Sequence, residues 1–263
     1  MAITPRFVPT CSRELLSGLG EIAKRHGDKV LVQSHIAESD DMVAFVEALH
    51  PEQPRDAEIF DREGLLTSRS IFAHGTHLTT SELDLMHRRG ASIAHCPLSN
   101  FHFADRELHV VRTIEMGAKV GLGSDVAGGI SPFMLQAMRA AVLASKSIAH
   151  AERERLRREG DVDERALITA AEHNAITFKE AFFLATSGAA DAIGLKDKVG
   201  TLEAGKYFDA IVAGRSNTVF DVEDVGVGTL LSRFEKWVNL GEQANIDRVY
   251  VAGRDVTPSV ARG

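Results

Sequence analysis

The sequence predicts an α/β protein built on a parallel sheet, of the kind that closes into a (β/α)8 barrel. Two observations support this. Short strand-like segments alternate with longer amphipathic segments over the first half of the 263-residue chain. The strand-like segments are apolar throughout, which is typical of strands that are covered on both faces. Successive β-then-α units of this type form right-handed crossovers between parallel strands.

Five segments have the strand pattern. They cover residues 3–7, 30–36, 70–74, 91–95 and 118–122. The second reads VLVQSHI and the third reads SIFAH, so each is short and mostly apolar, as buried strands are. A closed barrel has eight strands and typically about 250 residues. We therefore expect a partial, TIM-like (β/α)8 barrel that contains about the last five strands.

Amphipathic segments between and after the strands predict helices. They cover residues 11–26, 41–49, 81–89, 107–116, 131–150 and 163–188. In the first of them, Leu15, Leu16 and Leu19 recur at helical spacing, and Ser12 is a suitable N-cap. The mixed charges of 151–163 (AERERLRREGDVD) predict a solvated helix end or a loop.

The last quarter of the chain has a different pattern. The stretches VGTLEAGKYFDAIVAG and RVYVAGRDV predict short antiparallel strands with glycine turns. We therefore divide the chain into a partial barrel at 1–190 and a β-sandwich-like segment with a tail at 191–263.

Composition excludes several classes of protein. The net charge of −7 is unfavourable for a nucleic-acid partner, whose phosphates need clustered Lys and Arg. No apolar run approaches the roughly 20 residues of a membrane span. Cys11 and Cys96 are the only cysteines and cannot form a disulfide framework. The opening MAITPRFVPT has no apolar leader segment, so the expected location is the cytoplasm.

Polar side chains stand at the carboxyl ends of three predicted strands. His35, His74 and Asp125 each follow a different strand, and barrel active sites are built at that end. A single histidine there is more often a buried structural residue, but three such groups, each on a different parallel strand, would converge on one axis. Two imidazoles and a carboxylate suit a divalent transition metal such as Zn²⁺.

A fourth group supplies acid–base chemistry. Glu38 follows His35 by three residues and can face the same pocket without being a ligand. Zinc lowers the pKa of bound water to about 7, and a nearby carboxylate can take the proton and return it to a leaving group. The predicted chemistry is hydrolysis. His95 and Cys96 are interpreted as pocket-wall or packing residues. Gly128 and Gly129 form a predicted turn that lets backbone approach the site.

Five motifs carry a resemblance to a known family. They occur in the order PRF, SHIAES, AHGTHL, SIAHCPLSN and GLGSDVAGG. Together they resemble the metal-dependent amidohydrolase superfamily and, within it, the branch that deaminates heterocyclic bases. The resemblance extends over essentially the whole chain, because the glycine-rich tail VGTLEAGKYFDAIV is similar to the composite sandwich domain of that family.

The resemblance implies roles for the strand-end residues. His35 and Asp125 match the positions of zinc ligands, with one zinc ion per site. Glu38 matches the proton shuttle, which also touches the substrate. His74 matches a residue beside the metal-bound water, where it orients that water or polarises the tetrahedral intermediate.

The resemblance also implies a substrate. Arg6 and Phe7, in the PRF motif, match positions that contact the base, and the planar guanidinium fork suits the edge of a purine. For Phe7, simple packing against the barrel remains an equal alternative. The implied reaction is the hydrolytic deamination of guanine to xanthine and ammonia in purine catabolism. A homodimer is implied as well.

One family motif is missing. The superfamily pattern begins with His-x-His, which supplies two further zinc ligands, and the sequence contains no His-x-His. We therefore expect a truncated chain whose remaining ligands come from the missing motif and which is inactive alone. Two alternatives stay open: an aminohydrolase for another purine, a pterin or a triazine, and an inactive fragment that serves as a binding subunit.

Overall fold

A computed structural model of the chain describes residues 1–53, 55–160, 163–214 and 230–257. A five-stranded parallel sheet forms the centre of the molecule. Its strands are β1 (Ala2–Ile3), β2 (Leu31–Ile36), β3 (Ser70–His74), β4 (Ser92–His95) and β5 (Lys119–Leu122). They lie side by side in chain order, and every neighbouring pair is parallel. This confirms the predicted α/β class and the five consecutive parallel strands, but the first strand is shorter than the predicted 3–7 and ends at Ile3.

Helices connect these strands and cover the sheet. The first six are α1 (Arg13–His26), α2 (Asp40–Leu49), α3 (Asp56–Arg62), α4 (Thr80–Arg89), α5 (Pro97–Phe103) and α6 (Val110–Glu115). Short 3-10 turns occupy Val8–Thr10, Gly27–Lys29 and Gln243–Asn245. Ser12 caps α1 as predicted, since its hydroxyl accepts a hydrogen bond from the amide of Leu15. The short helices α3 and α5 were not predicted, because each has only seven residues and too few turns for a clear apolar period.

Five helices follow the parallel sheet in the described chain. They are α7 (Met134–Glu159), α8 (Glu164–Asn174), α9 (Phe178–Ala185), α10 (Ser187–Ala192) and α11 (Leu230–Leu240). Residues 151–159 of the charge-dense stretch form the exposed end of α7, where Arg155 pairs with Glu152 and Glu159 one turn away on either side. The single helix predicted for 163–188 is wrong. Thr177 forms a capping box that starts a new helix.

A second, antiparallel sheet confirms the strands predicted near the end of the chain. It contains β6 (Ala210–Ala213), β7 (Ile246–Val251) and β8 (Arg254–Asp255) in that order. Residues 215–229 and 258–263 of the predicted second segment lie outside the described residues. The boundary at 190 stays a prediction.

Apolar side chains from the sheet and from its helices form one core. Phe72 on β3 and Phe60 on α3 are fully buried, and their ring centroids lie 4.9 Å apart. Gly121 on β5 allows α10 to approach closely, because a Cβ atom there would lie 2.8 Å from the Cα of Ala189. The sheet is thereby fixed on both faces, which holds its strand ends in place. Among the described residues, no helix combines the length and apolarity that crossing a bilayer requires.

We expect Phe72→Ala to lower the free energy of unfolding by about 3–5 kcal/mol, because it leaves a cavity in a close-packed core. Chemical denaturation followed by circular dichroism measures the change. Phe103 on α5 is 61% exposed, so Phe103→Ala is the matched control and should change stability by less than about 0.5 kcal/mol. Equal effects of the two substitutions would contradict this description of the core.

Candidate active site

Left-handed backbone marks the ends of the strands that carry the predicted site. The φ angles are +43° at Ala37, +74° at His74 and +46° at Asp125. Residues with a Cβ atom adopt this region at a cost of roughly 1–2 kcal/mol each, and such strain clusters at functional sites. Each turn redirects the chain just beyond its strand, so the adjacent side chains face the same edge of the sheet.

The four predicted groups gather at that edge. His74 is fully buried, and its Nε2 atom lies 3.5 Å from Oε1 of Glu38 and 3.8 Å from Oδ2 of Asp125. The His35 ring stacks on the His74 ring, with centroids 5.4 Å apart and planes inclined by 16°. The sequence therefore predicted correctly which side chains meet.

Hydrogen bonds on the far side of each imidazole set its orientation. Nδ1 of His35 lies 2.7 Å from the carbonyl oxygen of Arg6, and Nδ1 of His74 lies 2.9 Å from Oδ1 of Asn100. Both oxygens are acceptors, so each neutral ring carries its proton on Nδ1 and keeps a lone pair on Nε2. Nε2 of His74 is buried without a hydrogen-bond partner among the described residues.

This donor set fits a divalent metal ion. His35, His74 and Asp125 offer ligand atoms that all lie within 4.8 Å of one another. Two neutral imidazoles and a carboxylate match the three protein ligands of catalytic zinc sites. The partnerless Nε2 of His74 is the kind of buried atom that a cation would satisfy. Outer hydrogen bonds such as those that the two rings donate to Arg6 and Asn100 typically hold metal-binding imidazoles in place.

The predicted glycine turn lies against Asp125. A Cβ atom at Gly128 would come 2.7 Å from Oδ2 of Asp125 and 3.0 Å from Oγ of Ser99. The amide of Gly129 donates a hydrogen bond to the carbonyl oxygen of Asp125. A side chain at Gly128 would therefore have to displace the Asp125 carboxylate from its present position.

Arg6 and Phe7 border the same site. The Phe7 ring packs edge-on against His35 at 6.2 Å between centroids, and the Arg6 guanidinium lies 5.1 Å from the centre of the Phe7 ring. Arg6 is exposed and Phe7 is half-buried. The PRF segment therefore places an exposed cation and an aromatic edge beside the imidazoles of the site.

Two buried side chains beside the site, His95 and Cys96, are uncharged at neutral pH. His95 is fully buried, and burial, together with the nearby His74, lowers its pKa to about 3. Burial raises the pKa of the Cys96 thiol to about 12, with a further contribution from Asp125. His95 is therefore neutral and Cys96 protonated at neutral pH. These states agree with pocket-wall and packing roles.

The second histidine of the AHGTH segment faces a different cluster. Nδ1 of His77 lies 2.9 Å from Oδ1 of Asp40, and its Nε2 contacts Oδ1 of Asp105. Its partners are thus unlike those of His74, three residues earlier. The two histidines therefore diverge beyond the end of β3.

Sequence reasoning missed Asp56 and Thr76. Oδ2 of Asp56 accepts a hydrogen bond from the amide of Ala37 at 2.8 Å. The Thr76 hydroxyl lies 3.0 Å from the carbonyl oxygen of Ala37 and 2.7 Å from that of Glu38. In the sequence, Asp56 has the features of an ordinary first-turn helix residue and Thr76 those of a loop residue. Only their buried contacts distinguish them.

A parallel sheet with imidazole and carboxylate groups at the carboxyl ends of its strands defines the class of barrel-like, metal-dependent hydrolases. Within that class, the chain belongs to the amidohydrolase family, whose family model matches residues 1–256. The family is generally metal-dependent.

Similar proteins include several guanine deaminases. The guanine deaminase of Pongo abelii is 38% identical over 264 residues, which cover 97% of this chain and 53% of that protein. The solved E. coli guanine deaminase has a TM-score of 0.83 at 28% identity. A guanine deaminase from C. acetobutylicum, solved with guanine in its active site, has a TM-score of 0.81 at 32% identity. Each structural match covers 97% of this chain and 54% of the other. The chain spans about half the length of the curated relatives it matches.

The buried carboxyl of Asp56 gives stability a pH dependence. Burial raises its pKa to about 7, assisted by the charge of Glu82 and opposed by the Ala37 amide and Arg55. The folded state therefore holds this proton more tightly than the unfolded state. The contribution of Asp56 to the free energy of unfolding is fully present below pH ~4 and falls as the pH rises through about 7.

We expect the wild type to lose on the order of 3 kcal/mol relative to Asp56→Asn between about pH 5 and pH 8, because the amide does not ionise. Urea denaturation of both proteins at the two pH values measures this difference. A constant stability difference would contradict the raised pKa.

Proposed function

We propose that this chain takes part in the zinc-dependent hydrolytic deamination of guanine to xanthine and ammonia. The observation that carries the proposal is the cluster of Glu38, His74 and Asp125 at one sheet edge, with Glu38 within 3.5 Å of the unpaired Nε2 of His74. The motif resemblance and the similarity to guanine deaminases, one of them solved with guanine bound, support the choice of substrate.

His35 and Asp125 are the proposed zinc ligands in this chain. Their donor atoms, with that of His74, lie within 4.8 Å of one another, and the hydrogen bond from His35 to Arg6 aims the free nitrogen of the ring into the cluster. When bound, zinc supplies Lewis acidity that makes water a stronger acid, with a pKa of about 7. The resemblance assigns two further ligands to a His-x-His motif, which this sequence does not contain.

Glu38 is the proposed proton shuttle. Its carboxylate is only partly exposed, at 27% of its side-chain area, so it faces the pocket and remains accessible to substrate. As water adds to C2 of guanine, Glu38 accepts the proton and then delivers it to the departing amino group. The bond from C2 to the exocyclic nitrogen breaks and ammonia leaves. The second proton of the water ends on ring N3, and C2 retains the oxygen as the carbonyl of xanthine.

His74, Arg6 and Phe7 have proposed supporting roles. His74 is held by Asn100 with Nε2 facing the cluster, where it orients the attacking water or polarises the developing oxyanion. The exposed Arg6 fork offers several donors to the carbonyl and ring nitrogens of a purine edge. Phe7 stacks on the base or supports Arg6 and His35. A homodimer and a cytoplasmic location stay predictions.

We expect Glu38→Gln to abolish guanine turnover while zinc stays bound, because glutamine cannot accept the proton. The chain should be tagged at its native gene and purified with any polypeptide that accompanies it. The loss of guanine absorbance and the release of ammonia measure turnover. Glu21 is an exposed carboxylate on α1, so Glu21→Gln is the control and should retain wild-type activity.

Two outcomes would overturn these assignments. A zinc-loaded native preparation that leaves guanine unchanged would contradict the proposed function. If the same preparation deaminates adenine, a pterin or an aminotriazine instead, the chemistry stands but the substrate changes. Full activity in Glu38→Gln would contradict the assignment of Glu38 as proton shuttle. It would not affect the assignment of His35 and Asp125 as zinc ligands.

We expect His35→Ala and Asp125→Asn to weaken zinc binding by more than the roughly 10–100-fold that outer-sphere substitutions cost. Competition with a chromophoric chelator measures this affinity without requiring turnover. His173 is an exposed histidine that pairs with Glu115, and His173→Ala should bind zinc as the wild type does. Unchanged affinity in both ligand variants would contradict the proposed site.

A further inference from the structure

We propose that Asp56 and Thr76 are positioning residues that hold the Ala37–Glu38 turn and thereby aim the Glu38 carboxylate at the reacting centre. This inference rests on the proposed role of Glu38. Neither residue needs to touch the substrate or the metal, because each acts on the backbone that carries Glu38.

The turn itself is costly to maintain. Ala37 is 1% exposed and has a φ of +43°, a conformation that alanine adopts only when its surroundings impose it. If this turn relaxed, the peptide between Ala37 and Glu38 would rotate, and the Glu38 side chain would leave the cluster. The position of Glu38 therefore depends on whatever restrains the turn.

Side-chain hydrogen bonds restrain the turn on both sides. Asp56 accepts from the amide of Ala37 at 2.8 Å, and the Thr76 hydroxyl reaches the carbonyl oxygen of Glu38 at 2.7 Å. The amide of His77 also donates to the carbonyl oxygen of Ala37. Asp56 and Thr76 are themselves 3% and 7% exposed, so water cannot easily replace either bond.

Asp56 is held by a buried ion pair beside it. The guanidinium of Arg55 donates to Oε2 of Glu82 at 2.7 Å and to the carbonyl oxygen of His77 at 3.0 Å. Arg55 and Asp56 are adjacent at the start of α3, so the ion pair attaches this end of α3 to α4, and the hydrogen bond to His77 attaches it to the loop after β3. The loop that contains Thr76 and the helix that contains Asp56 therefore form one support beneath the Glu38 turn.

Paired substitutions separate positioning from general stability. Thr76→Val removes the hydroxyl at nearly constant volume and should lower kcat for guanine about 10–100-fold, as expected for a misplaced catalytic group. Thr76→Ser should restore activity because it restores the hydroxyl. Asp56→Ala should lower kcat similarly, whereas Asp56→Asn keeps an acceptor oxygen for Ala37 and should retain most activity.

Thr113 provides the matched control. It is 2% exposed, and its hydroxyl donates to the carbonyl oxygen of His109 within α6, so Thr113→Val removes an equally buried bond outside the site. It should leave kcat at the wild-type value, whatever it does to the melting temperature. Parallel losses of kcat in Thr76→Val and Thr113→Val would reduce Thr76 to a structural role and overturn the proposal.

A spectroscopic readout keeps the test independent of turnover. The Glu38 carboxyl signal in ¹³C-labelled protein can be identified by its absence in Glu38→Gln and then titrated. Its midpoint should shift in Thr76→Val and Asp56→Ala but not in Thr76→Ser or Thr113→Val. An unchanged midpoint in both former variants would overturn the positioning roles. Inactive wild-type protein with shifted midpoints would instead count against the proposed function alone.

Discussion

The parallel register between β2 and β3 is the constraint on which the site depends. Ile36 lies opposite His74 in this register, so the turn after β2 and the end of β3 stand side by side. A shift of one residue would turn every side chain of β3 to the opposite face of the sheet and separate His74 from the turn that carries Glu38. The ladder from Val32 opposite Ser70 to Ile36 opposite His74 and the burial of Phe72 on β3 keep that register fixed. The core thus sets the distances between chemical groups that lie outside it.

Hydrogen-bond acceptors determine which ring nitrogen of His35 and of His74 offers a lone pair to the site. The carbonyl oxygen of Arg6 accepts from the amide and faces the ring Nδ1 of His35, so one backbone atom sets both the place and the tautomer of the imidazole. The side-chain oxygen Oδ1 of Asn100 faces Nδ1 of His74 and sets the tautomer of that ring in the same way. Both rings then offer lone pairs to a region that already contains the carboxylates of Glu38 and Asp125. Such a concentration of acceptors favours a bound cation.

Much of this arrangement could be predicted from the sequence, and the reasons are physical. Apolar strands and their polar end residues follow from burial and from β-α-β geometry, so His35, His74 and Asp125 could be placed at one edge of the sheet. The supporting contacts could not be predicted. Asp56 lies 19 residues from Ala37, and Asn100 lies 26 residues from His74, separations that carry no periodic signal. The division of 163–188 into separate helices depends on the capping box of Thr177, which starts a new helix although the apolar helical period continues through it.

The left-handed residue Ala37 has a consequence for how this protein can change. Glycine adopts such a conformation without steric penalty, so a glycine at this position would relieve the turn of its strain and raise resistance to heat. The same substitution would also allow the backbone at position 37 to sample more conformations in the folded protein. The methyl group of Ala37 therefore lowers thermal stability, while it helps to keep the Glu38 carboxylate in position.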